Sequence, residues 1–152
     1  MRPYALAPGE GTAVENPVST LIFTATGAQT DGGMTAIDTV VAPGEGPPLH
    51  VHAEQDEFIY VLDGTFKVRL ADELIDAQPG SFVFIPRGPP HTWKNAETVP
   101  ARFFAGFVPA APAFEEWFTR YAELPAEQRG AETFVRLAAE TQPFEVLGPP
   151  LG

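Results

Sequence analysis

Between Glu57 and Phe107 the chain is cut into short apolar stretches by turn residues at close intervals. No helical periodicity runs through that span. Such a chain buries its apolar faces by stacking strands into a sandwich or barrel. Glu57–Leu62 reads as a strand, and Asp63-Gly64 as a two-residue hairpin turn. Thr65–Leu70 alternates Phe66, Val68 and Leu70 against Thr65, Lys67 and Arg69. Ala71-Asp72 turns the chain, Glu73–Ala77 is short, and Gln78-Pro79-Gly80 turns it again. Ser81–Ile85 is nearly all apolar, which predicts burial on both faces or the lining of a cavity. Pro86–Pro90 is a tight loop, His91–Asn95 a strand, and Ala101–Val108 closes the set. Upstream, Val18–Thr26 and Met34–Val41 are two further strands around a polar loop, and residues 1–17 form a Gly/Pro-rich extended arm.

All three histidines lie in this β-rich half, at His50, His52 and His91. Residues i and i+2 of a strand share a face, so His50 and His52 can aim at one point. Gly46-Pro47-Pro48 before them is stiff, because proline fixes φ and restricts the residue preceding it. Glu57 follows after a short gap, and His91 arrives on a separate strand beside Trp93 and Asn95. A lone histidine is usually an ordinary surface or core residue. A His-x-His pair with a nearby Glu and a distant His is a ligand set instead. Imidazoles suit zinc, copper, iron and nickel, and a carboxylate extends the choice to manganese.

These residues fall in two stretches. The first is Gly-x5-His-x-His-x4-Glu-x6-Gly, from Gly44 to Gly64. The second is Gly-x5-Pro-x-Gly-x2-His-x3-Asn, from Gly80 through Pro86, Gly88 and His91 to Asn95. They resemble the two motifs of the cupins, with every motif position filled. The resemblance implies an all-β, double-stranded β-helix (jelly-roll) barrel. It also implies one divalent transition metal (Fe, Mn, Ni, Cu, Co or Zn) held by His50, His52, Glu57 and His91. Three imidazoles and a carboxylate leave up to two positions of a six-coordinate metal open to water, oxygen or a chelating substrate, as in catalytic rather than structural sites. A ligating Glu57 could also take a proton as general base.

Within the cupins the chain is similar to small bacterial proteins that look like one domain of quercetin 2,3-dioxygenase. Pro-Pro-Leu-His-Val-His, Asp56-Glu57-Phe58-Ile-Tyr-Val-Leu-Asp-Gly, Phe82-Val-Phe-Ile-Pro-Arg-Gly-Pro-Pro-His and Phe114-Glu-Glu-Trp-Phe carry that resemblance. It implies a metal-dependent dioxygenase acting on an aromatic or enolisable hydroxy-ketone, with a small-molecule substrate and O2. It also implies a homodimer, with the N-terminal arm crossing to the partner. Redox-neutral isomerase, cyclase or lyase chemistry is the alternative reading, and a non-catalytic small-molecule-binding protein is a third. The expected pocket wall is Phe58 or Tyr60, Phe82 or Phe84, Trp93 and Phe103. Strand parity favours Trp93, and the set carried forward is Tyr60, Phe84, Trp93 and Phe103.

After Pro112 the period changes. Phe114, Trp117, Phe118, Tyr121 and Leu124 fall on one helical face, either packed in the core or closing the barrel mouth. Pro125 stops this helix, and a second covers Ala131–Glu140. The 152 residues are expected to form one domain, with its barrel core over about 18–108 and helices over about 112–141. The formal net charge of −11 argues against nucleic acid or an anionic membrane as partner. There is no cysteine, so neither disulfide nor thiol chemistry is available. No signal-peptide pattern is visible, and the expected location is cytoplasmic.

Overall fold

The structure is a computed structural model that describes residues 1–152. Eleven strands form two antiparallel sheets, and two α-helices follow the last long strand. The strands are β1 (Thr12–Glu15), β2 (Ser19–Ala25), β3 (Thr35–Val41), β4 (Pro48–Val51), β5 (Asp56–Asp63) and β6 (Phe66–Leu70). They continue with β7 (Glu73–Ala77), β8 (Phe82–Ile85), β9 (His91–Asn95), β10 (Ala101–Val108) and β11 (Glu145–Pro150). One sheet runs β1-β2-β3-β10-β5-β8 and the other β11-β4-β9-β6-β7. From β3 to β6 each strand joins the sheet opposite its predecessor, which is the winding of a jelly roll. The two sheets stay separate rather than closing into a continuous hydrogen-bonded barrel.

This winding corrects the reading of Asp63-Gly64 as a hairpin. β5 pairs with β10 and β8, while β6 pairs with β7 and β9, so the turn is an arch from one sheet to the other. Gly64 has φ +78°, and a Cβ there would lie 2.6 Å from the Ala101 Cβ. Both the backbone conformation and the space therefore favour glycine. The true two-residue hairpin is at Ala71-Asp72, where Leu70 pairs with Glu73.

Ser81–Ile85 departs from expectation as well. β8 is the edge strand of its sheet, with Val83 and Ile85 buried and Phe82 and Phe84 exposed. Its apolar run therefore reflects one core face and one exposed aromatic face. The N-terminal arm is partly a strand: β1 pairs in cis with β2, from Thr12↔Phe23 to Glu15↔Thr20, and buries Val14. The tail also supplies β11, which lies on β4 with two register shifts.

The core is one cluster of 23 buried apolar residues between the sheets and under the helices. The helices are α1 (Pro112–Glu123) and α2 (Ala131–Thr141). The expected face of α1 is buried: Phe114 and Phe118 meet Phe23 edge-on at 6.2 and 6.0 Å, and Phe114 meets Phe107 at 4.9 Å. Trp117 Nε1 donates to the Phe134 carbonyl at 2.9 Å, tying α1 to α2. The Glu115 carboxylate accepts from the Gly27 N–H at 3.0 Å and the Thr35 hydroxyl at 2.5 Å, which fixes the start of α1 against the sheet. No helix is long and apolar enough to cross a membrane.

Candidate metal centre

β4 (His50), the residue just after it (His52), β5 (Glu57) and β9 (His91) bring the four expected ligands to one point. His50 and His91 face each other as the register pair joining β4 to β9. β4 can approach β9 this closely because residue 46 is glycine: a Cβ there would lie 2.0 Å from the Trp93 carbonyl oxygen. Glu57 is the first inward residue of β5, followed on the same face by Ile59 and Val61. His50, His52, Glu57 and His91 are all buried, with relative exposures of 4, 4, 6 and 1%. One ligand atom from each lies within 4.8 Å of the other three. Two bonds of about 2.2 Å to a shared metal span about 4.4 Å, so little contraction is needed.

Prolyl carbonyls orient two of the rings. His50 Nδ1 lies 2.7 Å from the Pro48 carbonyl oxygen, and His91 Nδ1 lies 3.1 Å from that of Pro89. A carbonyl only accepts, so each Nδ1 carries a proton and each Nε2 is turned toward the cluster. A carbonyl behind the ring in this way sets the tautomer in which an imidazole ligates. His52 lacks such a partner: its Nδ1 is buried without a hydrogen bond, and its ring rests 5.2 Å from Phe107. Glu57 Oε2 receives two imidazoles, His91 Nε2 at 3.1 Å and His52 Nε2 at 3.8 Å.

The electrostatics are those of a cluster awaiting a cation. Burial first, then the nearby His91, lowers the His50 pKa from 6.5 to about 4. Burial also lowers His52, against the pull of Glu57. Burial acts downward on His91 too, but the hydrogen bond and charge of Glu57 outweigh it and leave His91 raised. For Glu57 itself, burial pushes upward and is outweighed by the His91 hydrogen bond and the neighbouring rings, so the carboxyl sits low. Glu57 and His91 thus favour each other's charged forms, while burial keeps His50 neutral near pH 7. A divalent cation held there would face three imidazole nitrogens and a carboxylate oxygen. The donor set fits a borderline transition metal.

The expected pocket wall is not brought together as one surface. Phe103 is buried, and Trp93 is half-buried beyond His91 on β9; their rings meet at 5.0 Å and pack with Phe66 in an aromatic cluster of the core. Tyr60 and Phe84 do not belong to it. They are 42 and 55% exposed on the outer face of their sheet, because Glu57 fixes the inward parity of β5 and Phe58↔Phe84 pairing carries the outward parity to β8. Sequence reasoning missed Phe107 and Phe144. Phe144 lies against the His50 ring at 4.5 Å and the His52 ring at 6.0 Å. Its only sequence signal is a lone aromatic after Pro143, in a tail otherwise read as an ending.

The cupin-domain family model matches residues 38–107, which span β3 to β10 and all four ligands. The chain is 33% identical over 72 residues to the tetracenomycin polyketide synthase protein TcmJ of Streptomyces glaucescens, covering 47% of this chain and 48% of TcmJ. It is 35% identical over 95 residues to SchB of Streptomyces halstedii, covering 62 and 67%. It is 32% identical over 92 residues to quercetin 2,3-dioxygenase of Bacillus subtilis, covering 60% of this chain and 27% of that enzyme. The chain thus spans about half the length of TcmJ and about a quarter of the dioxygenase. An RmlC-like cupin from Shewanella frigidimarina superposes with a TM-score of 0.64 at 15% identity, over 74% of this chain and 96% of that one. Fold, motif residues and relatives agree that the chain belongs to the cupin superfamily.

Proposed function

We propose that the protein is a metal-dependent dioxygenase acting on an aromatic or enolisable hydroxy-ketone. The observation that carries this reading is Glu57: a buried carboxylate, bonded to His91 and near His52, inside a four-residue ligand cluster. The 32% identity to quercetin 2,3-dioxygenase over 92 residues supports the choice of reaction. When bound, the metal would supply a Lewis acid that lowers the pKa of a coordinated hydroxyl. Glu57 would be the residue placed to accept such a proton. The Pro48 and Pro89 carbonyls hold His50 and His91 in the ligating tautomer while the proton moves. Phe107 and Phe144, packed on the His52 and His50 rings, shield that side of the cluster from water.

Redox-neutral chemistry on the same class of substrate is the second reading, and the likeness to a polyketide synthase protein favours it. Oxygen uptake separates the two. With a flavonol as first substrate, the dioxygenase reading requires stoichiometric oxygen consumption, whereas turnover without oxygen selects the second. Binding without turnover would select a non-catalytic binding protein. Glu57→Gln keeps the shape and one oxygen ligand but removes the basicity. Turnover per bound metal should fall by about 10²–10⁴-fold. An unchanged rate per metal would remove the base role and leave Glu57 as a ligand only.

The protein is also proposed to be a homodimer through the outer face of the β1–β8 sheet. That face exposes Tyr60, Phe82 and Phe84. Its charges cancel in the Arg102–Asp38 and Arg87–Asp56 pairs, although the chain as a whole carries −11. A second copy can therefore approach there without the repulsion it meets elsewhere. Light scattering should give twice the chain mass for the wild type and one chain mass for Phe84→Glu. A wild-type monomer at all concentrations would contradict the assignment.

A further inference from the structure

Thr92 follows the ligand His91 on β9 and is buried, at 1% exposure. Its hydroxyl donates to the Pro47 carbonyl at 2.8 Å. Being β-branched, Thr92 has little freedom at χ1, so the hydroxyl keeps its direction. The bond falls where β4 and β9 are otherwise thinly joined. The two strands share one register pair, His50↔His91. Pro47 and Pro48 have no N–H, so this end of β4 can offer β9 only carbonyls. The Thr92 hydroxyl supplies the donor for one of them. Just upstream, the Gly44 N–H donates to the Asn95 carbonyl at 3.2 Å, and the Asn95 N–H to the Glu45 carbonyl at 3.0 Å.

Stiff backbone carries the effect of this bond to the cluster. The peptide joining Pro47 to Pro48 is planar, so a fixed Pro47 carbonyl also fixes the Pro48 nitrogen. The Pro48 ring then locks φ. Only ψ of Pro48 is left free between the Thr92 hydroxyl and the Pro48 carbonyl. β11 holds that angle from the other side, through the pairs Pro150↔Pro48 and Gly148↔Leu49. The Pro48 carbonyl in turn accepts from His50 Nδ1 at 2.7 Å. A hydroxyl beside one ligand thus reaches the ring of another.

We infer that Thr92 is a positioning residue for the metal centre: through Pro47 and Pro48 its hydroxyl holds the His50 ring, and so sets how tightly the four ligands close on an ion. The hold on the ring belongs to the metal-free chain, and its effect on the ion rests on the metal reading above.

The two parts separate experimentally. Thr92→Val keeps the shape and removes the donor, whereas Thr92→Ser keeps the donor. In metal-free protein, NMR should show the His50 Nδ1 proton exchanging with solvent about tenfold faster in Thr92→Val, the effect of one lost hydrogen bond on a local opening. Thr92→Ser should exchange like the wild type. The Trp117 Nε1 proton, bonded to the Phe134 carbonyl, should exchange alike in all three. Co(II) affinity, measured by competition with a chelator, should fall about tenfold in Thr92→Val and recover in Thr92→Ser. The absorption bands of the bound cobalt should shift in Thr92→Val alone. Unchanged His50 exchange in Thr92→Val, or equal acceleration of the Trp117 proton, would overturn the hold on the ring. Faster His50 exchange with unchanged Co(II) affinity would overturn the link to the ion. If Thr92→Val does not fold, Thr92→Ala against Thr92→Ser isolates the hydroxyl, and equal behaviour of that pair would overturn both parts. A wild type that takes up no Co(II) would overturn the metal reading, while the exchange rates would still decide whether Thr92 holds His50.

Discussion

His91 and Asn95 open and close the same five-residue strand, both buried, at 1 and 0% exposure. Asn95 is saturated. Its Nδ2 donates to the carbonyls of Val41, Ala42 and Val99 at 3.1, 3.3 and 2.9 Å, and its Oδ1 accepts from the Glu97 N–H at 2.8 Å. His91 belongs to a cluster that is crowded and unsaturated: two imidazoles compete for one Glu57 oxygen, and His52 Nδ1 has no partner. A buried polar group with every bond made is part of the scaffold. One held ready with bonds missing is part of a site. Both residues are motif positions of the same family, yet one end of β9 pins loops together and the other end waits for a ligand.

The sharpest break of this contrast is to empty the saturated end. Asn95→Ala orphans several buried backbone groups at once and should cost about 3 kcal/mol. For a chain of this length that is a fall of roughly 6–12 °C in melting temperature. Metal-free protein should show the full loss, because the role of Asn95 is structural. Calorimetry on metal-free protein measures it, and a change below about 1 °C would mean that the loops hold without the amide.

At the other end His50→Ala should do the reverse. The metal-free variant should melt closer to the wild type than Asn95→Ala does, since the His50 side chain makes a single hydrogen bond within the protein, to the Pro48 carbonyl. The stabilisation gained on adding metal should disappear, because only a state that binds metal is stabilised by it. A metal-induced rise in melting temperature equal to that of the wild type would place the metal elsewhere.

The smallest expected effect is on pH. His50 titrates near 6.5 when unfolded and at about 4 when folded, so between those values the unfolded chain binds more protons. Its contribution is complete above about 6.5 and is lost as pH falls toward about 4. His52 acts in the same direction. His91, being raised, contributes stability at low pH that fades as pH rises through its folded value, which blunts the profile. Metal-free protein should therefore lose stability on acidification from pH 6.5 to 4 by a few kcal/mol at most. Metal-loaded protein should lose more over the same range, because protons compete for all three rings. Denaturant titrations across that range measure both, and identical slopes would show that the cluster takes no part.

How far the sequence could be read follows from range. The meeting of His50, His52 and His91 was legible because i, i+2 parity and two complete motifs are local facts. So was the α1 face, where Phe114, Trp117, Phe118 and Tyr121 follow one helical period and are buried, while Leu124 falls just past the helix end. The Asp63-Gly64 arch was not, because a left-handed glycine serves a hairpin and a crossover equally, and only pairing with distant β10 decides between them. The outward turn of Tyr60 and Phe84 depended on β8 being an edge strand, which no property of Ser81–Ile85 encodes. Phe144 escaped for the same reason: its place on His50 depends on β11 lying against β4, some 95 residues away in sequence and built partly from prolines.

The central claim is that His50, His52, Glu57 and His91 hold one metal ion. Elemental mass spectrometry on protein purified without added metal, then loaded with a single divalent transition metal and dialysed, tests it directly. The expected result is close to one metal per chain in the wild type and almost none in His50→Ala, with Asn95→Ala retaining its metal at temperatures where it is folded. A wild type that keeps no metal after loading, or a His50→Ala variant that keeps as much as the wild type, would contradict it.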